Sequence, residues 1–279
     1  MEKPRRPQAF IVASTDHGAM IVNRFDQHTT APDMVYGAGF QLLDKASYDP
    51  NEVTLALKLL DIRCQHYGDG VVAVDCGANL GVHTVEWAKH MTDWGVVIAF
   101  EAQERIYYAL AGNIAINNCF NARAFHAAVT RQPGTMKIPR PNYLVNSSFG
   151  SLELKKRDST EFIGQTIDYS EKNMTEVRAI TLDSYNFQRL DLIKIDVEGM
   201  ELEALAGGAK SIAANRPIML IEVIKTDFAA LRAWLESMGY MLIPSGLNVL
   251  AIHHEDKCRE SIKIEKKGGG AGALDFPAP

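Results

Sequence analysis

Several features that would place the protein in a specialised class are scarce in this sequence. Only four cysteines occur among 279 residues and none of them forms a C-x-x-C pair, which argues against a disulfide framework or a zinc site. No apolar run approaches the roughly 18 residues that a membrane helix requires, and the amino terminus, MEKPRRPQAF, lacks the apolar core of a signal peptide. We therefore expect a soluble, cytoplasmic protein that has no membrane partner.

An excess of basic residues is absent too. The sequence has 29 Lys and Arg residues against 34 Asp and Glu residues, which gives a formal net charge of −5. This balance argues against nucleic acid as a partner, because binding to phosphates relies on concentrated positive charge. The remaining composition, 47% hydrophobic and 23% charged, is typical of a soluble globular protein with a sizeable core.

The first 70 residues predict an N-terminal extension to a larger domain. The segments AFIVAS and AMIVNRF flank the turn-forming residues T-D-H-G, and this arrangement predicts a β-hairpin. Pro50 then opens a segment in which Leu55 and Leu59 recur at helical spacing, so we expect a helix that continues to about His66.

Residues 71–256 alternate strand-like and helix-like segments. The strand-like segments include VVAVDCG, VVIAFEA, ARAFHAAV, LDLIKIDV and PIMLIEV, and their alternation with helices predicts an α/β fold with a doubly wound, mostly parallel sheet. The last two strands, YMLIP and LNVLAIHH, are joined by a connection too short for a helical crossover, so we expect a terminal antiparallel strand. A polar insertion at about 130–172 interrupts the pattern, and residues 257–279, charged and then glycine-rich, predict a disordered tail.

The segment VVAVDCGANLGVHT predicts a ligand-binding loop at the end of a buried strand. Gly77 and Gly81 allow a ligand to approach the backbone, but Asn79 replaces the second glycine of the dinucleotide motif G-x-G-x-x-G. Asp75 before the loop suits a cationic ligand, and Glu101 at the end of the next strand can accept both hydroxyls of a ribose. Together these features favour S-adenosylmethionine over NAD; the alternative is an ordinary strand–helix turn with solvated acids.

Further candidate cofactor contacts lie in the same segments and in the helix that follows them. Ala78 and Thr84 belong to the glycine loop and the start of its helix, and Ala102 follows Glu101. Asn113 lies in the middle of the next predicted helix, where Asn is disfavoured, so a cofactor contact and a chance occurrence are equally open for it.

A second cluster of acids follows the strand in LIKIDVEGMELEAL. Residues two apart in an extended segment share a face, so Lys194, Asp196 and Glu198 should lie together. Such a cluster could supply a base, position a substrate hydroxyl or bind a divalent cation. We interpret Asp196 as the proton acceptor, Glu198 as an acceptor-side contact and Lys194 as a catalytic group or a salt-bridge partner, and we assign no metal ligand. The alternative for Glu198 is a cap on the following helix.

The segments VDCGANLGVHT, AFEAQ, NIAINN and IKIDVEGMELEALAGGAKSI resemble the FkbM family of S-adenosylmethionine-dependent methyltransferases. The resemblance covers about 71–254 and implies a Rossmann-like class I methyltransferase fold that transfers a methyl group, usually to a hydroxyl oxygen. It implies cofactor contacts at the first two strand ends and a family signature at the active edge; these residues are Asp75, Gly77, Asn79, Gly81 and Glu101, and Asp196, Val197, Glu198 and Gly199. Ala102 departs from the family, which typically has Pro after the acid.

The expected acceptor is therefore a hydroxyl on a small molecule or a glycan. Ribose-directed methylation of nucleic acid and a methyltransferase-like module that binds without turnover stay open as alternatives, and NAD-dependent oxidoreduction is the weakest reading. We expect the extension and the insertion to build the acceptor pocket, with Ser147 and Ser148 as candidates. Glu222 and His254 each end a strand, and each side chain could face either the acceptor pocket or the solvent. The sequence identifies neither the acceptor nor the oligomeric state.

Overall fold

A nine-stranded sheet with helices on both faces forms the centre of the protein. The computed structural model describes residues 7–31, 34–265 and 273–275. Its strands are β1 Phe10–Thr15, β2 Gly18–Asn23, β3 His28–Ala31, β4 Met34–Tyr36, β5 Val71–Cys76, β6 Gly95–Glu101, β7 Ala122–Val129, β8 Gly134–Pro139, β9 Met174–Ile180, β10 Leu192–Ile195, β11 Ile218–Glu222, β12 Tyr240–Ser245, β13 Asn248–His253, β14 Lys263–Glu265 and β15 Ala273–Asp275. Its α-helices are α1 Ala38–Lys45, α2 Pro50–Tyr67, α3 Val82–His90, α4 Glu104–Ile116, α5 Glu201–Gly207, α6 Ala209–Asn215 and α7 Phe228–Ser237.

The strand order of the large sheet is β12-β13-β11-β10-β5-β6-β7-β9-β8. The strands from β11 to β9 are parallel, β13 is antiparallel to β11 and β12, and β8 is antiparallel to β9. This topology confirms the predicted doubly wound, mostly parallel sheet with a terminal antiparallel strand. The order reverses between β5 and β10, and such a switch point is where open α/β sheets bind ligands.

Side chains that alternate along β5 pack against helices on opposite faces of the sheet. Val71 and Ala73 pack in a cluster with residues of α2 and α3, whereas Val74 and Cys76 pack with residues of α5, α6 and α7. A strand buried on both faces needs apolar side chains at nearly every position, which explains the continuous apolar run in VVAVDCG. The first charged side chain of β5 is therefore the one at its carboxyl end, Asp75.

The helical segment that follows β10 is divided into two helices, because Gly208 ends α5 and begins α6. The other predicted strands and helices of the central domain are present with small shifts at their ends. Strand β8 gives the sheet a second antiparallel edge, which the polar character of the insertion did not indicate.

The N-terminal extension contains the predicted hairpin, β1 and β2, and the predicted helix, α2. It also contains β3, β4 and α1, which lack a clear sequence signal. The side chain of Asp26 joins the extension to the insertion, since its two oxygens accept backbone N–H groups of Gly39 at 2.8 Å and Phe149 at 2.9 Å. The extension and the insertion thus meet above the same edge of the sheet.

Asn113 attaches the hairpin to the central domain and does not face the cofactor site. Its Oδ1 accepts the backbone N–H of Ile21 at 2.5 Å, and its Nδ2 donates to the carbonyls of Ile21 at 3.2 Å and Leu80 at 2.8 Å. The side chain is fully buried between α4, β2 and the glycine loop. The prediction of a cofactor contact is therefore corrected, because the face of α4 that carries Asn113 packs against the extension.

The predicted disordered tail is ordered in part. Residues 257–261 form a 3₁₀ helix whose Cys258 is buried against the cluster that contains α2, and β14 pairs with β15. Residues 266–272 and 276–279 of the predicted tail lie outside the described residues. Within the described ranges, none of the helices has both the length and the apolar character that crossing a membrane demands.

We expect Asn113→Ala to lower the free energy of unfolding by about 3 kcal/mol, because the substitution leaves the N–H of Ile21 and the carbonyl of Leu80 buried without this partner. Denaturant unfolding measures the change. Asn117→Ala is the control: Asn117 also bonds to β2, through the carbonyl of Ala19, but from a half-buried position, so its loss should be smaller. A stable Asn113→Ala protein that no longer binds S-adenosylmethionine would contradict this assignment.

Candidate active site

A cavity of about 580 Å³ lies at the carboxyl ends of the parallel strands. Its floor is formed by the ends of β5, β6, β7, β10 and β11 and by the start of the antiparallel β13. Residues of the extension, among them Tyr48 and Glu52, and residues of the insertion, among them Ser148 and Leu152, complete the wall. The cavity therefore sits at the switch point of the sheet and is closed by the two segments outside the regular α/β pattern.

The glycine loop passes very close to the end of β10. Gly77 has φ +81°, and a Cβ atom on it would lie 1.8 Å from the carbonyl oxygen of Asp196. Asn79 follows with φ +50°, a left-handed conformation that Asn tolerates better than most residues. Only glycine fits at position 77. Its close approach to the carbonyl of Asp196 places the glycine loop beside the end of β10 in the cavity wall.

Asp75 presents an unpaired carboxylate oxygen at this point. It is 1% exposed; its Oδ2 accepts a 2.7 Å hydrogen bond from Oγ1 of Thr84, and its Oδ1 has no partner among the described residues. A buried anionic oxygen without a partner is costly, so the site suits a ligand that brings a cationic or hydrogen-donating group. Thr84 does not line the cavity; its predicted cofactor contact is corrected to a role in orienting Asp75.

Glu101 joins the glycine loop to the loop after β6, with one carboxylate oxygen bonded to each loop. Its Oε1 accepts the backbone N–H of Gln103 at 2.7 Å and its Oε2 accepts that of Asn79 at 2.9 Å. Burial raises the pKa of Glu101 to about 7, against the opposing effect of these N–H groups. Ala78 and Ala102 also line the cavity, and their contact with the cofactor stays a prediction.

The acids at the mouth of β10 are paired with lysines. Nζ of Lys194 donates to Oδ2 of Asp196 at 2.7 Å, and Nζ of Lys225 donates to Oε2 of Glu198 at 2.5 Å. One oxygen of each of three carboxylates, Asp196, Glu198 and Glu222, lies within 4.8 Å of the others. Three such carboxylates are a ligand set for a divalent cation, but two of them already have an ammonium partner, so we retain the assignment without a metal.

The turn after β10 explains why Glu198 faces the cavity. Glu198 has φ +53° and Gly199 has φ +92°, so the chain leaves the strand through two left-handed residues. Oε1 of Glu201 accepts the backbone N–H groups of Val197 at 3.2 Å and Gly199 at 3.0 Å. Glu201 thus takes the capping position that was the alternative for Glu198. A left-handed, non-glycine residue at such a site is typical of functional strain.

Burial and mutual repulsion shift the pKa values of this cluster. Burial, together with the charge of Asp196, raises the pKa of Glu198 well above its ordinary value, although Lys225 opposes the shift. Burial and Asp196 also raise the pKa of Glu222 to about 8. Burial alone would lower the pKa of Lys194, but Asp196, Glu52 and Asp75 outweigh it and raise this pKa well above the usual value.

The structure adds site residues that the sequence did not single out. Glu52 from α2, Lys225 after β11 and Asn248 at the start of β13 all line the cavity. His83 is buried and also lines the cavity, beside Glu52. Lys225 could have been identified from the sequence, because it follows the strand PIMLIEV and charged residues after strand ends can face ligand sites. Glu52 could not, because acids are common in the first turn of any helix.

The structure also gives the positions of four other candidates. Glu222 lines the cavity, whereas His254 is exposed at the opposite end of the sheet, where its Nδ1 contacts the carbonyl oxygen of Gly239. This follows from the direction of β13, whose first residue and not its last lies at the ligand edge. Ser148 lines the cavity, but Ser147 is buried beneath it, where its Oγ accepts a hydrogen bond from Gln165.

We expect Gly77→Ala to lower the free energy of unfolding by about 3 kcal/mol, since the substitution combines a left-handed backbone with a clash against the carbonyl of Asp196. Gly246→Ala is the matched control, because Gly246 has φ +62° and open space around its Cβ position, so it should lose only about 1 kcal/mol. Denaturant unfolding measures both losses. Equal losses in the two variants would show that the clash with the carbonyl of Asp196 does not contribute to the destabilisation.

We expect Glu222→Gln to flatten the pH dependence of stability. With a pKa of about 8 in the folded protein against an ordinary value of 4.5, Glu222 binds more protons in the folded than in the unfolded state across that interval. The free energy of unfolding of the wild type should therefore fall as the pH rises through it, and the variant should gain stability relative to wild type. Urea unfolding at a series of pH values tests this; a difference that does not change with pH contradicts it.

Comparisons with known proteins identify a family for this chain. The sequence model of the family described as "Methyltransferase FkbM domain" matches residues 75–242. "Methyltransferase 1" of Beauveria bassiana is 23% identical over 184 residues, which cover 62% of this chain and 74% of that protein. "Methyltransferase sdnD" of Sordaria araneosa is 29% identical over 153 residues, which cover 48% of this chain and 59% of that protein.

Solved structures with a similar chain path were also found. The crystal structure of methyltransferase FkbM from Methylobacillus flagellatus KT has a TM-score of 0.47 at 14% identity, covering 66% of this chain and 43% of that one. Magnesium protoporphyrin IX methyltransferase from Synechocystis PCC 6803, with bound SAM, has a TM-score of 0.44 at 10% identity, covering 80% of this chain and 88% of that one.

The family match extends from the acid that precedes the glycine loop into β12, and so includes more than half of the chain with both strand-end clusters. The unpaired, buried Oδ1 of Asp75 fits a cationic donor. This chain belongs to the FkbM methyltransferase family, and its methyl donor is S-adenosylmethionine.

Proposed function

We propose that the protein methylates a hydroxyl oxygen on a small molecule or a glycan. The observation that carries the proposal is the convergence of Asp75, Glu101 and the Lys194–Asp196 pair on one cavity. The first two acids would hold the methyl donor, and the pair would serve the acceptor. Acids at the ends of three neighbouring strands can meet in this way only at the carboxyl edge of a parallel sheet.

The donor side of the cavity would be built from the loops after β5 and β6. Asp75 would pair with the ammonium group of the cofactor, and Glu101 would accept the ribose hydroxyls. Ala127 and Ala128, at the end of β7, and Leu152 line the cavity and offer an apolar wall to adenine. No acid ends β7, so we expect backbone groups to recognise the adenine edge.

The acceptor side would supply proton transfer and position. S-adenosylmethionine provides a methyl group on positively charged sulfur and leaves as S-adenosylhomocysteine. Asp196 would accept the hydroxyl proton as the oxygen forms its new bond to carbon, and Lys194 fixes the carboxylate through its 2.7 Å hydrogen bond. The protonated carboxyl would then release the proton to solvent, because Asp196 is 27% exposed.

The charge of the cavity supports a small uncharged or cationic acceptor. The acids that line the acceptor side are Asp49, Glu52, Asp196, Glu198 and Glu222, and they outnumber its lysines, Lys194 and Lys225, although burial shifts Glu198 and Glu222 toward their neutral forms. An excess of acids disfavours polyanions through like-charge repulsion. This argues against the alternative of ribose methylation in nucleic acid.

Four free cysteines support the expected cytoplasmic location, which stays a prediction.

We expect Asp196→Asn to lower the turnover number by about 10²–10⁴-fold, the range that general-base catalysis contributes, and to leave the Kd of S-adenosylmethionine within a few-fold. Production of S-adenosylhomocysteine with a panel of hydroxyl-bearing small molecules and glycans measures turnover, and calorimetry measures Kd. Asp49→Asn, an exposed acid that also lines the cavity, is the control and should change turnover by only a few-fold.

Two results would overturn parts of this proposal. Loss of cofactor binding in Asp196→Asn would assign Asp196 to the donor side. A methylated product in which NMR places the new methyl group on nitrogen or carbon would reject the hydroxyl acceptor.

A further inference from the structure

The N-terminal extension places a carboxylate inside the catalytic cluster. Glu52 lies in the first turn of α2, and its side chain is 18% exposed. Its Oε2 accepts a 2.5 Å hydrogen bond from Nδ2 of Asn248, and its Oε1 lies 3.1 Å from Nε2 of His83 and 4.0 Å from Nζ of Lys194. One side chain of the extension thus contacts α3, β10 and β13 at the cavity wall.

Lys194 lies between this carboxylate and the proposed base. Its side chain is 9% exposed, and its Nζ donates to Oδ2 of Asp196 at 2.7 Å. Taking an ammonium group out of water is unfavourable unless nearby carboxylates compensate for the lost hydration. Asp196 alone would supply one negative charge from the same strand, and Glu52 supplies a second from the other side of the ammonium group.

We propose that Glu52 is a positioning residue for methyl transfer, holding Lys194 in its charged form against Asp196 so that the Asp196 carboxylate keeps one orientation toward the acceptor hydroxyl. The inference rests on the proposed function, because it concerns the same site. Glu52 and its partner Asn248 both lie outside residues 75–242, the part of the chain that matches the family. The extension is therefore a contributor to this active site and not only a cover over it.

The ionised form of Glu52 is strongly favoured. Burial acts to raise its pKa, but the contact with His83 and the charge of Lys194 outweigh burial and lower the pKa to about 2. Lys194 also faces titratable groups of every neighbouring element, which are Tyr48 and Asp49 before α2, Asp75 and Cys76 of β5, Asp196 after β10 and Glu222 of β11. Loss of the Glu52 charge should therefore lower the pKa of Lys194, although Asp196 and Asp75 would still raise it.

Glu52→Gln tests the inference, because glutamine keeps the size of the side chain and an oxygen for Asn248 but removes the charge. We expect the turnover number to fall about tenfold, a part of the 10²–10⁴-fold that proton transfer contributes, with the Kd of S-adenosylmethionine unchanged. The alkaline limb of the turnover–pH profile should move to lower pH, since Lys194 loses its proton earlier. Glu52→Asp, which keeps the charge, should restore most of the turnover and the position of the limb.

Glu86→Gln is the matched structural control. Glu86 lies 3.3 Å from Nδ1 of His17 and so joins the extension to α3 through an acid–histidine contact like that of Glu52, but it does not line the cavity. We expect this variant to lose stability without a change in turnover or in the pH profile. If both variants lose turnover only in proportion to their loss of stability, Glu52 has a structural role alone and the inference is wrong.

An NMR titration of ¹³Cε-labelled lysine separates this inference from the proposed function, since it needs no acceptor. Lys194→Arg identifies the Lys194 signal by its disappearance. The Lys194 signal of the wild type should keep the chemical shift of a charged lysine to higher pH than that of Glu52→Gln. An unchanged titration in Glu52→Gln overturns the inference whatever the turnover. If Glu52→Gln shifts the titration of Lys194 but the wild-type protein methylates no hydroxyl acceptor, the proposed function is wrong and the coupling of Glu52 to Lys194 still holds.

Discussion

The contact between the glycine loop and the end of β10 is the constraint on which the site depends. Strands β5 and β10 pair in parallel with Asp75 opposite Lys194, and two residues later the backbone of Gly77 reaches the carbonyl of Asp196. This pairing puts the acid assigned to the donor next to the lysine assigned to the acceptor side. The pairing of the two strand backbones therefore fixes the donor side of the cavity next to the acceptor side.

Buried charge is the feature that this site adds to an otherwise apolar sheet. The strand β10 is buried along its length, and Lys194 is its one charged side chain. The acids that surround Lys194 compensate for its burial, but Glu198 and Glu222 are shifted toward their protonated forms by the same crowding. Stability is thus lower near neutral pH than a hydrophobic arrangement would give, which is common where a fold serves chemistry.

The strand ends of the central domain could be predicted from the sequence because the signal there is local. An apolar run that ends in an acid predicts both the strand and the ligand edge, and the three acids found in this way, Asp75, Glu101 and Asp196, all line the cavity. The antiparallel pairing of β12 and β13 was also predicted, but that pairing does not say which of the two strands runs against the parallel strands. In the structure β13 is antiparallel to β11, so its first residue, Asn248, reaches the site while His254 does not.

The remaining site residues could not be predicted because their positions depend on long-range packing. Asn113 lies on a helix near the cofactor loop, but periodicity cannot say that its face of α4 binds the hairpin. Thr84 reaches the site only through Asp75. Glu52 carries no local mark, since acids are common in the first turn of any helix, and its role becomes visible only when α2 is packed against β10 and β13.

The bonds that Asp26 makes to Gly39 and Phe149 have a consequence for how molecules enter and leave. They tie together the two segments that cover the cavity, so neither segment can swing away while both bonds persist. Burial raises the pKa of Asp26 to about 6, close enough to neutrality for a modest acidification to add a proton and weaken its role as acceptor. Asp26 does not act alone, since the N–H of Ser147 donates to the carbonyl of Phe25 and Nδ2 of Asn23 donates to the carbonyl of Tyr143, so opening the cavity on this side would require the extension and the insertion to break a set of bonds or to move together.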